Sequence, residues 1–177
     1  MILPETAYRL TRAAYALNAP QALSGVGGLY DDGRWHSRGR AIVYAAEDTS
    51  VCLLERIVHA DERVAERPSD LVMLTLHIPR ISSSHYSAAE LGAVDPNWRD
   101  EGNATCRRVG DLWLAQAKYC ALIVPSAANP LALNVLLNPA HAEFHRVIAA
   151  NTPLEAHPIE LDRRVISLAR QRRVAGL

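Results

Sequence analysis

The chain has 177 residues, of which 49% are hydrophobic and 21% are charged, so it is long enough to bury one core and too apolar for a disordered chain. Nineteen basic and nineteen acidic side chains cancel, which argues against a whole-chain attraction to nucleic acid or to a membrane surface. The three cysteines are widely spaced, and neither a signal peptide nor a transmembrane run is evident, so we expect a protein of the reducing cytoplasm.

The first part of the chain is predicted to be a loop-rich segment followed by a strand and a helix. Ala41–Ala46 is a short apolar run rich in strand-forming residues. A polar residue at positions 48–50 can then cap a helix whose apolar residues recur at helical spacing. The next strand is expected at Leu71–Ile78, where alternate apolar residues share one face.

The second part of the chain is predicted to combine long loops with short elements. Pro79–Asn103 is expected to be irregular, Arg107–Tyr119 to be a helix, and Cys120–Ser126 to be a buried strand that ends near a proline. A short strand and a short helix follow, and Pro158–Asp162 is expected to be the last strand. Short strands mixed with a few helices and long loops predict an α+β (mixed α/β) fold.

Three motifs suggest other functions but are incomplete. Gly25 and Gly27 fit the start of a dinucleotide-binding fingerprint, but Tyr30 stands where the third glycine belongs. His141 and His145 lie one helical turn apart, but a zinc site needs a third ligand that the pattern does not suggest, so no metal is predicted. The arginine-rich C-terminal tail could contact nucleic acid, although a solvated helix face fits the zero net charge better.

The stretch Gly27–Arg40 concentrates glycines and arginines directly before the first predicted strand. Arg34 offers a planar fork that matches a phosphate group, and glycines let backbone N–H groups approach an anion closely. Arg38 and Arg40 are interpreted as surface charge. By itself the stretch is equally compatible with a turn between two strands, whose arginines lie in water.

Two residues downstream of this stretch favour a ligand site. Glu55 lies at the edge of the apolar arc of the predicted helix, where a carboxylate is costly to bury unless it has partners; an ion pair with Lys118 is the structural alternative. Tyr44 in the preceding strand adds an aromatic ring with a hydroxyl group. An arginine, an aromatic ring and one carboxylate suit cleavage of an N-glycosidic bond, whose oxocarbenium-like transition state a carboxylate stabilises.

With these residues the sequence resembles the RES domain family, which is named for its arginine, glutamate and serine. The resemblance rests on blocks that occur in the family's order between about Tyr8 and Val165. These blocks are GGLYDDGRWHSRG (Gly27–Gly39), IVYAAE (Ile42–Glu47), LLERIVH (Leu53–His59), VPS (Val124–Ser126), NVLLNPAH (Asn134–His141) and PIELDRR (Pro158–Arg164).

The resemblance implies a fold similar to that of ADP-ribosyltransferases and a role as the toxin of a toxin–antitoxin system. Such toxins consume NAD+ at the nicotinamide–ribose bond, by hydrolysis or by phosphorolysis with inorganic phosphate as co-substrate, and some relatives ADP-ribosylate a protein instead. The implied partner is an antitoxin with a Xre-type helix-turn-helix, which blocks the active site and makes the only contact with DNA; the toxin is expected to be a homodimer within the complex. A non-catalytic member of a Xre regulatory complex is a further alternative.

The resemblance also assigns individual residues. Arg34, Tyr44 and Glu55 match the catalytic arginine, tyrosine and glutamate of the family. The residues expected to bind the substrate are Arg9, Trp35, His36, Ser126 and Asn138; of these Trp35, His36 and Asn138 lie in motif blocks without an assigned chemical role. The RES domain is predicted to span residues 1–165, and residues 166–177 are predicted to form an arginine-rich tail, helical or flexible.

Overall fold

A computed structural model of the chain describes residues 2–58 and 70–167. The strands are β1 (Thr6–Arg12), β2 (Val43–Ala46), β3 (Leu71–His77), β4 (Ser83–His85), β5 (Ala121–Pro125), β6 (Leu133–Leu137) and β7 (Glu155–Pro158). The α-helices are α1 (Ala19–Ala22), α2 (Thr49–Val58), α3 (Ala88–Val94), α4 (Ala104–Gln116) and α5 (Phe144–Ala150), and residues 163–167 are also helical. The predicted α+β class is confirmed.

The described strands form one seven-stranded sheet in the order β4-β5-β6-β2-β1-β3-β7. Neighbouring strands are antiparallel except for β4 and β5, which are parallel. β1 pairs with β3 along its whole length but with β2 only at Tyr8 and Ala46. The sheet therefore consists of two halves joined by a narrow seam between β1 and β2.

Arginine side chains bond to backbone carbonyls beside this seam, where the strand ladder is interrupted. Arg56 of α2 donates from Nη2 to the carbonyl oxygen of Leu10 at 3.1 Å. Arg9 of β1 donates from Nη1 to the carbonyl oxygen of Tyr44 at 2.8 Å. Because buried carbonyl groups need hydrogen-bond donors, these contacts stabilise strands that do not pair with each other along their length.

The two faces of the sheet are packed differently. On one face a single apolar cluster spans both halves and includes Ala7, Val43, Leu74, Val135 and Phe144. On the other face there are two clusters. The first joins α2 to β1 and β3 and contains Leu10, Ala46, Val51, Cys52, Leu71, Met73 and Ala132. The second joins α4 to β5 and β6 and contains Trp35, Ile42, Leu91, Trp98, Cys106, Trp113, Leu122, Val124 and Leu136.

Several predicted elements are confirmed. The strand predicted at Ala41–Ala46 is β2, and the helix predicted to follow it is α2, where Asp48 Oδ1 accepts a hydrogen bond from the backbone N–H of Ser50 at 2.7 Å. The strand at Leu71–Ile78 is β3, and the strand at Cys120–Ser126 is β5. In each case a run of buried apolar residues carries the prediction.

Other predictions about the elements were wrong. The loop-rich N-terminal portion contains β1, which is central in the sheet; its alternation is obscured because Arg9 occupies an inner position. The irregular segment Pro79–Asn103 contains β4 and α3. The last strand lies at Glu155–Pro158 rather than Pro158–Asp162. Most of the predicted tail falls at residues 168–177, outside the described residues.

None of the described helices combines the length and the apolar character that crossing a lipid bilayer requires.

Gly110 in α4 sits where the helix crosses the backbone of Trp35. A Cβ atom at this position would lie 2.7 Å from the carbonyl carbon of Trp35 and would overlap its carbonyl oxygen. We expect Gly110→Ala to destabilise the protein by about 1–3 kcal/mol or more, because backbone on both sides must shift.

Gly92 in α3 provides the matched control, since nothing lies within 4 Å of a Cβ atom added there. Gly92→Ala should leave stability unchanged or raise it by up to about 1 kcal/mol, because alanine is the better helix former. Thermal denaturation of the two variants measures the difference, and equal melting temperatures would contradict the assigned crossing.

Candidate active site

The Glu55 carboxylate of α2 is held by two side chains from the opposite half of the sheet. Its Oε1 accepts a hydrogen bond from Ser126 Oγ at 2.6 Å and another from Asn134 Nδ2 at 2.9 Å. Ser126 directly follows β5, and Asn134 lies in β6, paired with Val124 of β5. The strand ladder thus fixes both donors, and the donors fix the orientation of the carboxylate.

Ser126 is fully buried, and both its backbone N–H and its hydroxyl group are hydrogen-bonded. Its backbone N–H donates to Ala132 at 2.8 Å, and its hydroxyl oxygen accepts from the N–H of Asn129 at 3.0 Å. The hydroxyl proton is therefore directed at Glu55. An oriented hydroxyl donor to a carboxylate is a strong, charge-assisted hydrogen bond.

Asn134 was missed in the sequence, where Asn138 of the same motif block was selected instead. The available signal was an amide side chain in the middle of an apolar strand, a position that is costly without a partner. Asn138 lies four residues further on, about 13 Å away along an extended strand. It is buried, its Oδ1 accepts from the N–H of Ala140 at 3.0 Å, and its Nδ2 has no hydrogen-bond partner in the part of the chain that the structure describes.

The hydroxyl group of Tyr44 is fixed by the loop before β2. It accepts a hydrogen bond from the backbone N–H of Trp35 at 3.2 Å and lies 2.8 Å from Nδ1 of His36. His36 Nε2 lies 3.1 Å from the carbonyl oxygen of Asp31, which can only accept. In the neutral imidazole Nε2 therefore carries the proton, and Tyr44 donates to Nδ1.

The electrostatics of Tyr44 place it between the two charged residues of the site. Burial raises the pKa of its phenol far above the usual range; the Trp35 N–H opposes this rise, the Glu55 carboxylate adds to it, and the Arg34 guanidinium opposes it. Burial also lowers the pKa of His36, which favours the neutral imidazole. Tyr44 is thus a neutral hydrogen-bond donor within the electrostatic reach of both Glu55 and Arg34.

The glycines of the loop make room for the His36 ring. A Cβ atom on Gly28 would lie 2.8 Å from His36 Nε2, and one on Gly33 would lie 2.7 Å from the Tyr44 hydroxyl oxygen. Trp35 and His36 are themselves buried, with 1% and 5% of their surfaces exposed. In this structure both residues contact the hydroxyl group of Tyr44 from the buried side of the loop.

Arg34 is half-buried and is held by backbone carbonyl groups. Its Nη1 donates to the carbonyl oxygens of Trp98 and Asp100, each at 3.0 Å. The neighbouring arginines are engaged elsewhere: Arg40 forms an ion pair with Asp111 at 3.0 Å, and Arg38 is exposed. Arg34 therefore remains the principal cation of this loop.

Arg9 lies at the seam, bonded to the backbone of Tyr44. Burial and, to a smaller extent, the nearby charge of Arg56 lower the pKa of its guanidinium to about 10, while Cys52 opposes this shift. Its Nε is buried and has no hydrogen-bond partner among the described residues. Arg9 thus braces the strand that carries Tyr44.

Within residues 2–58 and 70–167, no three His, Cys, Asp or Glu side chains come together in a way that could hold a metal ion. His145, which the sequence places one turn after His141, is exposed and bonds from Nδ1 to the carbonyl oxygen of Ala142 at 2.7 Å.

Comparison with known proteins assigns the chain to a family. Residues 6–162 match the model of the RES domain. "Toxin Res" of Photorhabdus laumondii is 34% identical over 142 residues, which cover 80% of this chain and 86% of the relative. "Toxin Res" of Pseudomonas putida is 35% identical over 129 residues, which cover 73% and 86%.

Two further similarities concern activity and fold. "Prs ADP-ribosylating toxin" of a Sphingobium species is 30% identical over 122 residues, which cover 68% of this chain and 74% of the relative. The crystal structure of the MbcT–MbcA toxin–antitoxin complex of M. tuberculosis contains a chain with a TM-score of 0.66 at 20% identity, and the similarity covers 96% of this chain and 89% of that one. At this identity the likeness shows the fold alone. Because the family model spans residues 6–162 and relatives above 30% identity cover most of the chain, the protein belongs to the RES domain family.

Proposed function

We propose that this chain is the toxin of a toxin–antitoxin system and that it consumes NAD+ by breaking the bond between nicotinamide and ribose. The observation that carries the proposal is the Glu55 carboxylate, oriented by Ser126 and Asn134 and close enough to influence Tyr44 electrostatically. Membership of the RES family, whose curated relatives include toxins, supports it further.

The chemistry of NAD+ cleavage requires one carboxylate. When the C–N bond breaks, its electron pair leaves with the nicotinamide, which departs as a neutral molecule. Positive charge develops on the ribose, and a carboxylate beside it stabilises the oxocarbenium-like transition state. Because the leaving group needs no proton, the second carboxylic acid of a typical glycosidase is unnecessary. Glu55 takes the role of the stabilising carboxylate and orients the incoming nucleophile.

The other site residues position the substrate. Arg34 would hold the pyrophosphate of NAD+ or the attacking phosphate, to which a guanidinium binds bidentately. Tyr44, kept neutral by burial, would stack against the nicotinamide or its ribose. Ser126 would act through Glu55, which it orients. Arg9, Trp35 and His36 would act by supporting the backbone and the side chain of Tyr44. Asn138 accepts a hydrogen bond within its own turn.

The acceptor of the ADP-ribosyl group remains open between water, inorganic phosphate and a protein. Transfer to a protein is the second candidate function, and it is favoured by the similarity to the Prs ADP-ribosylating toxin of Sphingobium. A third candidate is a non-catalytic role within a Xre regulatory complex. NAD+ that stays intact after incubation with the pure protein would support it.

An antitoxin is the proposed partner. The solved structure with the same fold comes from a toxin–antitoxin complex. We extend this to a Xre-type helix-turn-helix antitoxin that blocks the site, a homodimeric toxin within the complex, and a cytoplasmic location.

Glu55→Gln is expected to lower the rate of NAD+ consumption by about 10²- to 10³-fold, as is typical when one preorganised electrostatic group is removed. The amide oxygen of glutamine can still accept from Ser126 and Asn134, so the fold should persist. Mass spectrometry of NAD+ incubated with the pure protein measures the rate.

Glu160→Gln, at an exposed position, is the matched control and should retain the full rate. Complete loss of NAD+ with Glu55→Gln would refute the role of the carboxylate.

Asn134→Ala removes one of the two side-chain donors to Glu55 Oε1. Since a hydrogen bond to a charged group contributes about 1.5–3 kcal/mol, we expect kcat/KM to fall by about tenfold or more. Asn138→Ala should change kcat/KM by less than about twofold, because Asn138 bonds within its own turn. The opposite order of effects would restore the assignment made from the sequence.

The reaction products distinguish the three acceptors. We expect free ADP-ribose if water attacks and ADP-ribose 1-phosphate if inorganic phosphate attacks. Parallel incubations with and without phosphate, analysed by mass spectrometry, separate these outcomes. ADP-ribose attached to a protein in cell extract would favour the second candidate function, and intact NAD+ in every incubation would contradict the proposed activity.

A further inference from the structure

The loop of residues 95–103, between α3 and α4, forms a carbonyl clamp around Arg34. The carbonyl oxygens of Trp98 and Asp100 point at the same nitrogen, Nη1, each at 3.0 Å. Two acceptors on one nitrogen fix the plane of the guanidinium group as well as its position. Nε of Arg34 is buried and has no hydrogen-bond partner among the described residues.

The same loop is attached to the segment that carries Ser126. Arg99 donates from Nε to the carbonyl oxygen of Ala127 at 3.0 Å. The thiol of Cys106 in α4 donates to the carbonyl oxygen of Trp98 at 3.2 Å. The loop is therefore tied both to the segment that follows β5 and to α4.

Asn103 organises this loop through its side chain. Its Nδ2 donates to Asp95 Oδ2 at 2.8 Å and to the carbonyl oxygen of Asn97 at 3.0 Å. Its Oδ1 accepts from the backbone N–H groups of Thr105 and Cys106 at 2.9 and 3.1 Å and so caps α4. The amide uses both of its donor hydrogens and both acceptor positions, and it closes the loop onto the start of the helix.

We propose that Asn103 is a positioning residue that acts through Arg34. By closing the loop, it presents the Trp98 and Asp100 carbonyls that hold the guanidinium in a binding orientation before the substrate arrives. A free arginine loses considerable rotamer freedom when it binds an anion, and a pre-oriented one loses less. The inference rests on the proposed function, in which Arg34 contacts a phosphate group of the substrate.

The carbonyl groups of Trp98 and Asp100 can affect anion binding in two opposite ways, which the direction of the change in Kd distinguishes. If the carbonyls compete with the phosphate for Arg34, loosening the loop should strengthen anion binding. If they position Arg34, loosening the loop should weaken it.

Asn103→Ser separates the two functions of the side chain. Serine caps a helix about as well as asparagine, so α4 should keep its start. It cannot supply the two donor hydrogens that bind Asp95 and Asn97. The probe is ADP-ribose, which contains the pyrophosphate and has no nicotinamide bond to cleave. We expect its Kd, measured by calorimetry, to rise by about three- to tenfold.

Asn18→Ser is the matched control, because the Asn18 side chain also caps a helix, α1, and forms no hydrogen bond to the loop within the described residues. It should leave the Kd unchanged. Melting temperatures of both variants verify that they are folded.

A double-mutant cycle tests whether Asn103 acts through Arg34. Arg34→Ala should weaken ADP-ribose binding by about tenfold or more, and adding Asn103→Ser to it should cause no further loss. A merely structural role would instead make the two effects additive. The inference would be overturned by additive effects, by an unchanged Kd or by a lower Kd in Asn103→Ser. In each of these cases NAD+ consumption by the wild type would still uphold the proposed function. A wild type that neither consumes NAD+ nor binds ADP-ribose would overturn both.

Discussion

The hydrogen bonds from Ser126 and Asn134 to Glu55 connect the two halves of the sheet at the place where the strands themselves do not. β1 and β2 pair only at Tyr8 and Ala46, so α2 has to be fixed over the seam by side chains. Its outer contact is the Glu55 carboxylate, which reaches the strands β5 and β6 of the other half. The position of the Glu55 carboxylate therefore depends on these hydrogen bonds, which add to the apolar contacts that pack α2 against β1 and β3.

The loop before β2 is built around a buried histidine rather than around an anion. Gly28 and Gly33 are required because the His36 ring and the Tyr44 hydroxyl occupy the space of their side chains. His36 in turn sets the direction of the Tyr44 hydroxyl proton. Glycines and an arginine can therefore be neighbours in the loop and serve different purposes: Gly28 and Gly33 make room for buried side chains, and Arg34 is the residue proposed to contact the ligand.

The sequence was sufficient to predict an element or a contact where the residue type had one plausible role. Buried apolar runs predicted β2, β3 and β5, and the position of Glu55 beside an apolar arc indicated a partnered carboxylate. It was insufficient where polar residues lie inside the sheet. Arg9 interrupts the apolar alternation of β1, so this strand was not predicted. The choice between Asn134 and Asn138 depended on strand register, which places Asn134 opposite Val124 and within hydrogen-bond distance of Glu55. Register and side-chain partners arise from contacts between distant segments, so a local pattern does not contain them.

Neutral groups help to orient both charged residues of the site. Ser126 and Asn134 donate to Glu55 as a hydroxyl and an amide, and Arg34 donates to two backbone carbonyls. An ion pair between Glu55 and Arg34 would orient both groups as well, but each would then neutralise the charge of the other. A neutral hydrogen-bond partner orients a charged group without adding an opposite charge of its own. A carboxylate and a guanidinium oriented in this way suit a substrate that develops a positive ribose next to a negative pyrophosphate.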